Sequence, residues 1–122
     1  MQEIKLVGLN ETIYEHITPE GLTVYMWVNK KVKSTLMTLS VKYGSIDTKF
    51  KIHQKKYEVP SGTAHFLEHV KFNMQNNVTA HDEFLKVGGD ANAFTTFDYT
   101  SYIVFTTKNI IENLNILFLI NL

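Results

Sequence analysis

The 122 residues suffice for one domain with a modest core and are too few for two independent ones. Twelve lysines balance twelve acidic residues and arginine is absent, so neither nucleic acid nor an anionic membrane is expected as a partner. The lack of cysteine excludes a disulfide framework, thiolate zinc sites and cysteine nucleophiles, which leaves His, Asp and Glu for any metal chemistry.

The start, MQEIKLVGLNETIYEH, places acidic residues where a secretion signal is apolar. The longest apolar run, Ile116 to Ile120, is far short of a membrane span. A soluble, cytoplasmic protein is therefore expected. The triplets at Asn10 and Asn77 match a glycosylation acceptor pattern and, without a secretion signal, are read as chance.

Residues 11–28 predict a hairpin, TIYEHIT and LTVYMWV, turning at PEG, with Trp27 as a core or hairpin residue. NKKVK suits an exposed turn, and STLMTLSVKYGS predicts a third strand that would complete an antiparallel meander with the first two. Residues 46–58 are polar, rich in lysine and without a period, and read as a long loop. Pro60 and Ser61 then precede an apolar pattern at Phe66, Leu67, Val70 and Phe72, which predicts a helix burying that side.

A second helix is predicted from Thr79, with Asp82 in capping-box position, to a stop at Gly88-Gly89. DANAFTTFDYTSYIVFTT predicts two strands turning near Phe97-Asp98. Its aromatics, Phe94, Phe97, Tyr99, Tyr102 and Phe105, read as core, because no basic residues interleave them as a base-stacking surface requires. The last segment puts Ile110, Ile111, Leu114, Leu117 and Phe118 on one helical face. That helix reaches Leu122 without a stop signal, so the domain is expected to be incomplete at its C-terminus.

Within GTAHFLEHVKF, His65 and His69 lie one helical turn apart, so both imidazoles can address a single ion. Glu68 shares that face and can reach a water beside the ion. Zinc lowers the pKa of such a water to about 7, and a neighbouring carboxylate can take its proton, which is the arrangement that hydrolyses a peptide bond. The same residues fit a solvated polar face, and the spacing alone leaves both readings open. His16, His53 and His81 read as surface residues.

The order His65-x-x-Glu68-His69 is the inverse of the common metalloprotease motif. Together with GLTVYMWVN and VGGDANAFTTFDYTSY, it resembles the pitrilysin and insulinase-type zinc metallopeptidases, the inverzincin family M16. KYGSID and the short spacing are most similar to the bacterial, half-length members. The resemblance covers nearly the whole chain and implies an α+β fold, with helices on one face of an antiparallel or mixed sheet. Residues 1–122 would be the N-terminal portion of one such domain.

By the same resemblance, His65 and His69 would ligate zinc and Glu68 would be the general base. Asn92 and Ala93 would lie on an edge strand to which a peptide or unfolded substrate adds as a further strand. Read from its residues alone, Asn92 is instead a turn residue after the two glycines. The family's third ligand is a glutamate on a later helix, expected beyond Leu122, and a second related half or subunit would close over the substrate. Glu83 and Glu112 are better explained as first-turn charges facing helix dipoles. A zinc endopeptidase is the leading expectation, the 122 residues alone being weakly active at most. The alternative is a non-catalytic peptide-binding or assembly module of the same fold.

Overall fold

The computed structural model describes residues 1–73 and 78–121, which form two compact units, Met1–Lys33 and Ser34–Leu122. The first unit is an antiparallel meander of β1 (Gln2–Leu6), β2 (Glu11–Ile17) and β3 (Thr23–Trp27). The predicted β2–β3 hairpin is present, and Gly21 takes the left-handed conformation (φ 90°) its turn requires. Trp27 is a hairpin residue rather than a core one: it is half-exposed, and its indole N–H donates to Glu11 Oε2 at 3.1 Å. Strand β1 was not predicted, although Ile4 and Leu6 alternate with Glu3 and Lys5 just before the turn containing Gly8. Asn10 lies in that turn, and Asn77 lies outside the described residues.

The second unit contains β4 (Thr35–Val41), β5 (Lys49–Ile52), β6 (Lys55–Glu58), α1 (Thr63–Phe72), α2 (Ala80–Lys86), β7 (Gly89–Thr95), β8 (Thr100–Thr106) and α3 (Ile110–Leu119). Its main sheet runs β4-β8-β7, all antiparallel. Strand β4 therefore does not complete the first meander; it pairs with β8, more than sixty residues further along. Non-local pairing of this kind leaves no local trace, because β4 carries the same Thr, Val and Leu pattern whichever neighbour it has.

The core lies on one face of this sheet. Val104 sits between Met37 and Ala91, and Tyr102 between Leu39 and Ala93, since side chains alternate faces along each strand. Phe72 of α1, Ala80 and Phe84 of α2, and Leu117 of α3 cover that face, which makes the unit an α+β layer with its helices on one side. Of the aromatics expected in the core, only Tyr102 is buried. Phe94 and Phe105 point to the opposite face, and Phe97 and Tyr99 lie in or beside the β7–β8 turn.

Two helices are rotated from their expected faces. On α1, Ala64 and Glu68 are buried with Phe72 partly so, a stripe with a spacing of four, while Phe66 is 66 % exposed and Leu67 and Val70 are also exposed. Apolar residues occur on both sides of this helix, so composition does not select the inward one. On α3 the inward stripe is Asn113, Ile116, Leu117 and Ile120, leaving Ile110, Ile111 and Phe118 exposed. Polar Asn113 is not expected inside from the sequence; its Nδ2 donates to Asn109 O at 2.9 Å, and its side-chain oxygen lies against Gly89.

Helix α2 follows its sequence signals. Thr79 and Asp82 form a reciprocal capping box, and Gly88 (φ 79°) ends the helix in the left-handed region. Residues 46–58 are not one loop, because β5 and β6 form a two-stranded hairpin turning at His53 and Gln54, both at positive φ. The Tyr43–Ile46 segment docks on the β7–β8 turn: Ser45 N–H donates to Thr96 O at 2.9 Å and Ile46 N–H to Phe97 O at 3.0 Å. Gly44 allows that approach, since a Cβ there would strike the backbone of Phe97 and Asp98. Among the described residues, no helix is long and apolar enough to cross a membrane.

Candidate metal centre

Helix α1 begins after Gly62, whose left-handed backbone (φ 88°) turns the chain out of Pro60-Ser61, while Thr63 Oγ1 donates to Pro60 O at 2.6 Å. This places residues 65 to 69 in the body of the helix. His65 Nε2 and His69 Nε2 stand 3.0 Å apart at the exposed surface of the unit. The Glu68 carboxylate comes from the buried side, and ligand atoms of all three residues lie within 4.8 Å of one another. Among the described residues, this is the group of His, Asp and Glu side chains that converges closely enough for a metal.

The pair of imidazoles can be tested against zinc by geometry. Two nitrogens on one tetrahedral zinc, each about 2.0–2.1 Å from it, are about 3.3–3.4 Å apart. The observed 3.0 Å is a few tenths shorter, so a small opening of the pair would admit an ion with no change of helix. The two exposed nitrogens therefore fit.

Glu68 is only 8 % exposed, and a buried carboxylate must recover its lost hydration from fixed donors. Its Oε2 accepts a hydrogen bond from Thr95 Oγ1 at 2.9 Å, whereas Oε1 has no hydrogen-bond partner among the described residues. The neighbouring Tyr102 phenol is pushed above its ordinary pKa, first by burial and second by the Glu68 carboxylate, whose charge disfavours a second anion nearby.

Strand β7 is an edge of the sheet, its other side being paired to β8. At the hairpin turn Thr96 N–H donates to Tyr99 O, and the alternation of an antiparallel ladder then points the N–H and C=O groups of Ala91, Ala93 and Thr95 away from β8. Asn92 is exposed, and its Oδ1 accepts from the outward Ala93 N–H at 2.9 Å. Asn92 is thus a strand residue and not part of a turn.

The other candidates fall elsewhere. Glu83 pairs with Lys86 at 2.6 Å and, like Glu112, occupies the first turn of a helix; neither joins the cluster. His16, His53 and His81 are exposed and are not members of the cluster. Thr95 was not singled out from the sequence, although it stands two residues after Ala93 on the same side of the strand.

The model of the insulinase family of peptidases, M16, matches residues 23–117. The chain belongs to the M16 peptidase family. Among relatives, the uncharacterized zinc protease YmfH of Bacillus subtilis (strain 168) is 39% identical over 119 residues, covering 96% of this chain and 28% of the relative. An uncharacterized zinc protease of Rickettsia bellii (strain RML369-C) is 36% identical over 87 residues, or 67% of this chain and 19% of its own length. The crystal structure of a candidate M16-like peptidase from Alicyclobacillus acidocaldarius superposes with a TM-score of 0.85 at 28% identity, covering 96% of this chain and 27% of that one. This M16 chain thus spans just over a quarter of the length of YmfH and of the Alicyclobacillus protein.

Proposed function

We propose that this chain supplies the zinc-binding helix and substrate-aligning strand of a zinc-dependent endopeptidase. The observation that carries the reading is the convergence of two imidazole nitrogens 3.0 Å apart with a buried carboxylate, beside an open sheet edge. His65 and His69 would hold zinc through Nε2, with a third ligand from beyond the described residues. The ion would polarise the scissile carbonyl and acidify a water. Glu68 would take that water's proton on Oε1 and return it to the departing amine nitrogen, a transfer typically worth about 10²–10⁴ in rate.

The substrate would be a peptide or unfolded segment laid along β7. The outward N–H and C=O groups of Ala91, Ala93 and Thr95 can pair with any extended backbone, so affinity would depend little on side chains. Asn92 would move its amide from Ala93 N–H to the incoming strand. Residues 1–122 would form the N-terminal portion of one peptidase domain, with a second M16-like half, on the same or a partner chain, enclosing the peptide.

The test uses the full-length protein with a quenched-fluorescence peptide and metal analysis. Glu68→Gln is expected to retain zinc and lose at least about a hundredfold in kcat, whereas His65→Ala loses the metal itself. Full turnover by Glu68→Gln would remove the hydrolytic role assigned to this carboxylate.

A further inference from the structure

Thr95 ends β7 with its side chain on the same face as Ala93, toward the helices. Its hydroxyl has one proton and meets two acceptors, Glu68 Oε2 at 2.9 Å and Thr100 Oγ1 at 3.3 Å. Thr100 already directs its own proton to Tyr43 O at 2.9 Å. Of the two acceptors facing Thr95, the carboxylate is both nearer and charged, so it receives the proton.

We propose that Thr95 is a positioning residue whose hydroxyl holds Glu68 by Oε2, leaves Oε1 for proton transfer, and fixes the carboxylate to the strand on which a peptide would align. The role in hydrolysis rests on the reading above; the tie between Thr95 and Glu68 does not. Three features make the hydroxyl a firm anchor. It is branched at Cβ, which restricts χ1. It stands opposite Thr100 in the β7–β8 ladder, and Thr100 is tied to Tyr43. The segment after Tyr43 is in turn bonded to the β7–β8 turn through Ser45 and Ile46.

The consequence is a fixed register. Ala93, with its outward N–H, lies two residues from Thr95, so a peptide paired at Ala93 is indexed to the same strand that holds the base. Partial rotation of an unanchored carboxylate would turn its free oxygen away from the water, an error that costs rate without weakening the main-chain pairing.

Two measurements on the full-length protein test this. In kinetics, Thr95→Val, which keeps the shape and removes the proton, is expected to lower kcat about ten- to hundredfold with KM nearly unchanged. Thr95→Ser is expected to restore most of the loss. In the metal-free protein, thermal unfolding of Thr95→Val, Glu68→Met and the double variant is expected to give a Tm loss for the double that is smaller than the sum of the singles.

Should Thr95→Val not fold, Thr95→Ala with and without Glu68→Met makes the same comparison. Additive Tm losses would overturn the proposal, as would a Thr95→Val enzyme with unchanged kcat or one that Thr95→Ser fails to rescue. If the wild-type protein cleaves no peptide, the hydrolytic reading falls while the melting cycle still decides the Thr95–Glu68 tie.

Discussion

At the scale of the residue, the decisive arrangement is a carboxylate on the inward stripe of a helix that presents its histidines outward. Glu68 is buried, and its carboxylate adds to the effect of burial in disfavouring ionisation of the Tyr102 phenol. The raised Tyr102 pKa has a definite sign. Because the folded value exceeds the unfolded one, the associated stability is fully present below about pH 10 and is lost as pH rises through the folded value. Tyr102→Phe is therefore expected to flatten the alkaline loss of stability, measured as Tm against pH above about pH 9. The histidines and Glu68 were legible in the sequence because five contiguous residues on a helix fix their own relative geometry. Thr95 was not, since it is 27 residues from Glu68 and only the packing of α1 on β7 brings them together.

At the scale of the element, signals carried by local chemistry agree with the structure. The box at Thr79 and Asp82 is one: side-chain and backbone hydrogen bonds from Thr79 hold the Asp82 carboxyl below its ordinary pKa. A depressed folded pKa adds stability above the unfolded value, and that stability disappears as pH falls through the folded one. Thr79→Ala is expected to cost about 1 kcal/mol at neutral pH by thermal or urea unfolding. The same variant should unfold with less dependence on pH below about pH 4 than the parent.

The β5–β6 hairpin illustrates the opposite case. Its lysines suggested a loop, yet register places Lys49 against Glu58, with an ion pair of 3.2 Å, and stacks Phe50 on Tyr57. Lys51 and Lys56 stand directly opposite each other, a like-charge pair that weakens the ladder. Lys56→Glu is expected to stabilise the hairpin by about 0.2–1 kcal/mol, seen as slower amide exchange in residues 49–58. Alternating polar and aromatic residues in strands of four are too short a pattern to distinguish from irregular chain.

At the scale of the whole molecule, the α+β class was legible because strand and helix periods differ, whereas the pairing of β4 with β8 was not. The inward faces of α1 and α3 were also hidden, since each helix has apolar residues in excess of what the sheet can cover. On the proposed reading the site is incomplete by count among the described residues: two imidazoles, with the carboxylate reserved for proton transfer, would leave zinc a ligand short of the usual three. Residues 1–122 alone are accordingly expected to bind zinc weakly and to cleave little or no peptide. Calorimetric titration beside the full-length protein checks this, and tight one-to-one binding with robust turnover by the short chain would contradict it.

The contact between the Asn92 amide and the Ala93 N–H bears on solubility as well as on the proposed alignment of a peptide. A bare margin of β-sheet invites other copies to zip onto it, and a side chain folded back over one of its donors blunts that stickiness. Lifting the amide away sacrifices roughly a single hydrogen bond, about 0.5–1.5 kcal/mol, so a well-matched guest can evict this small sentinel while a casual encounter is turned aside.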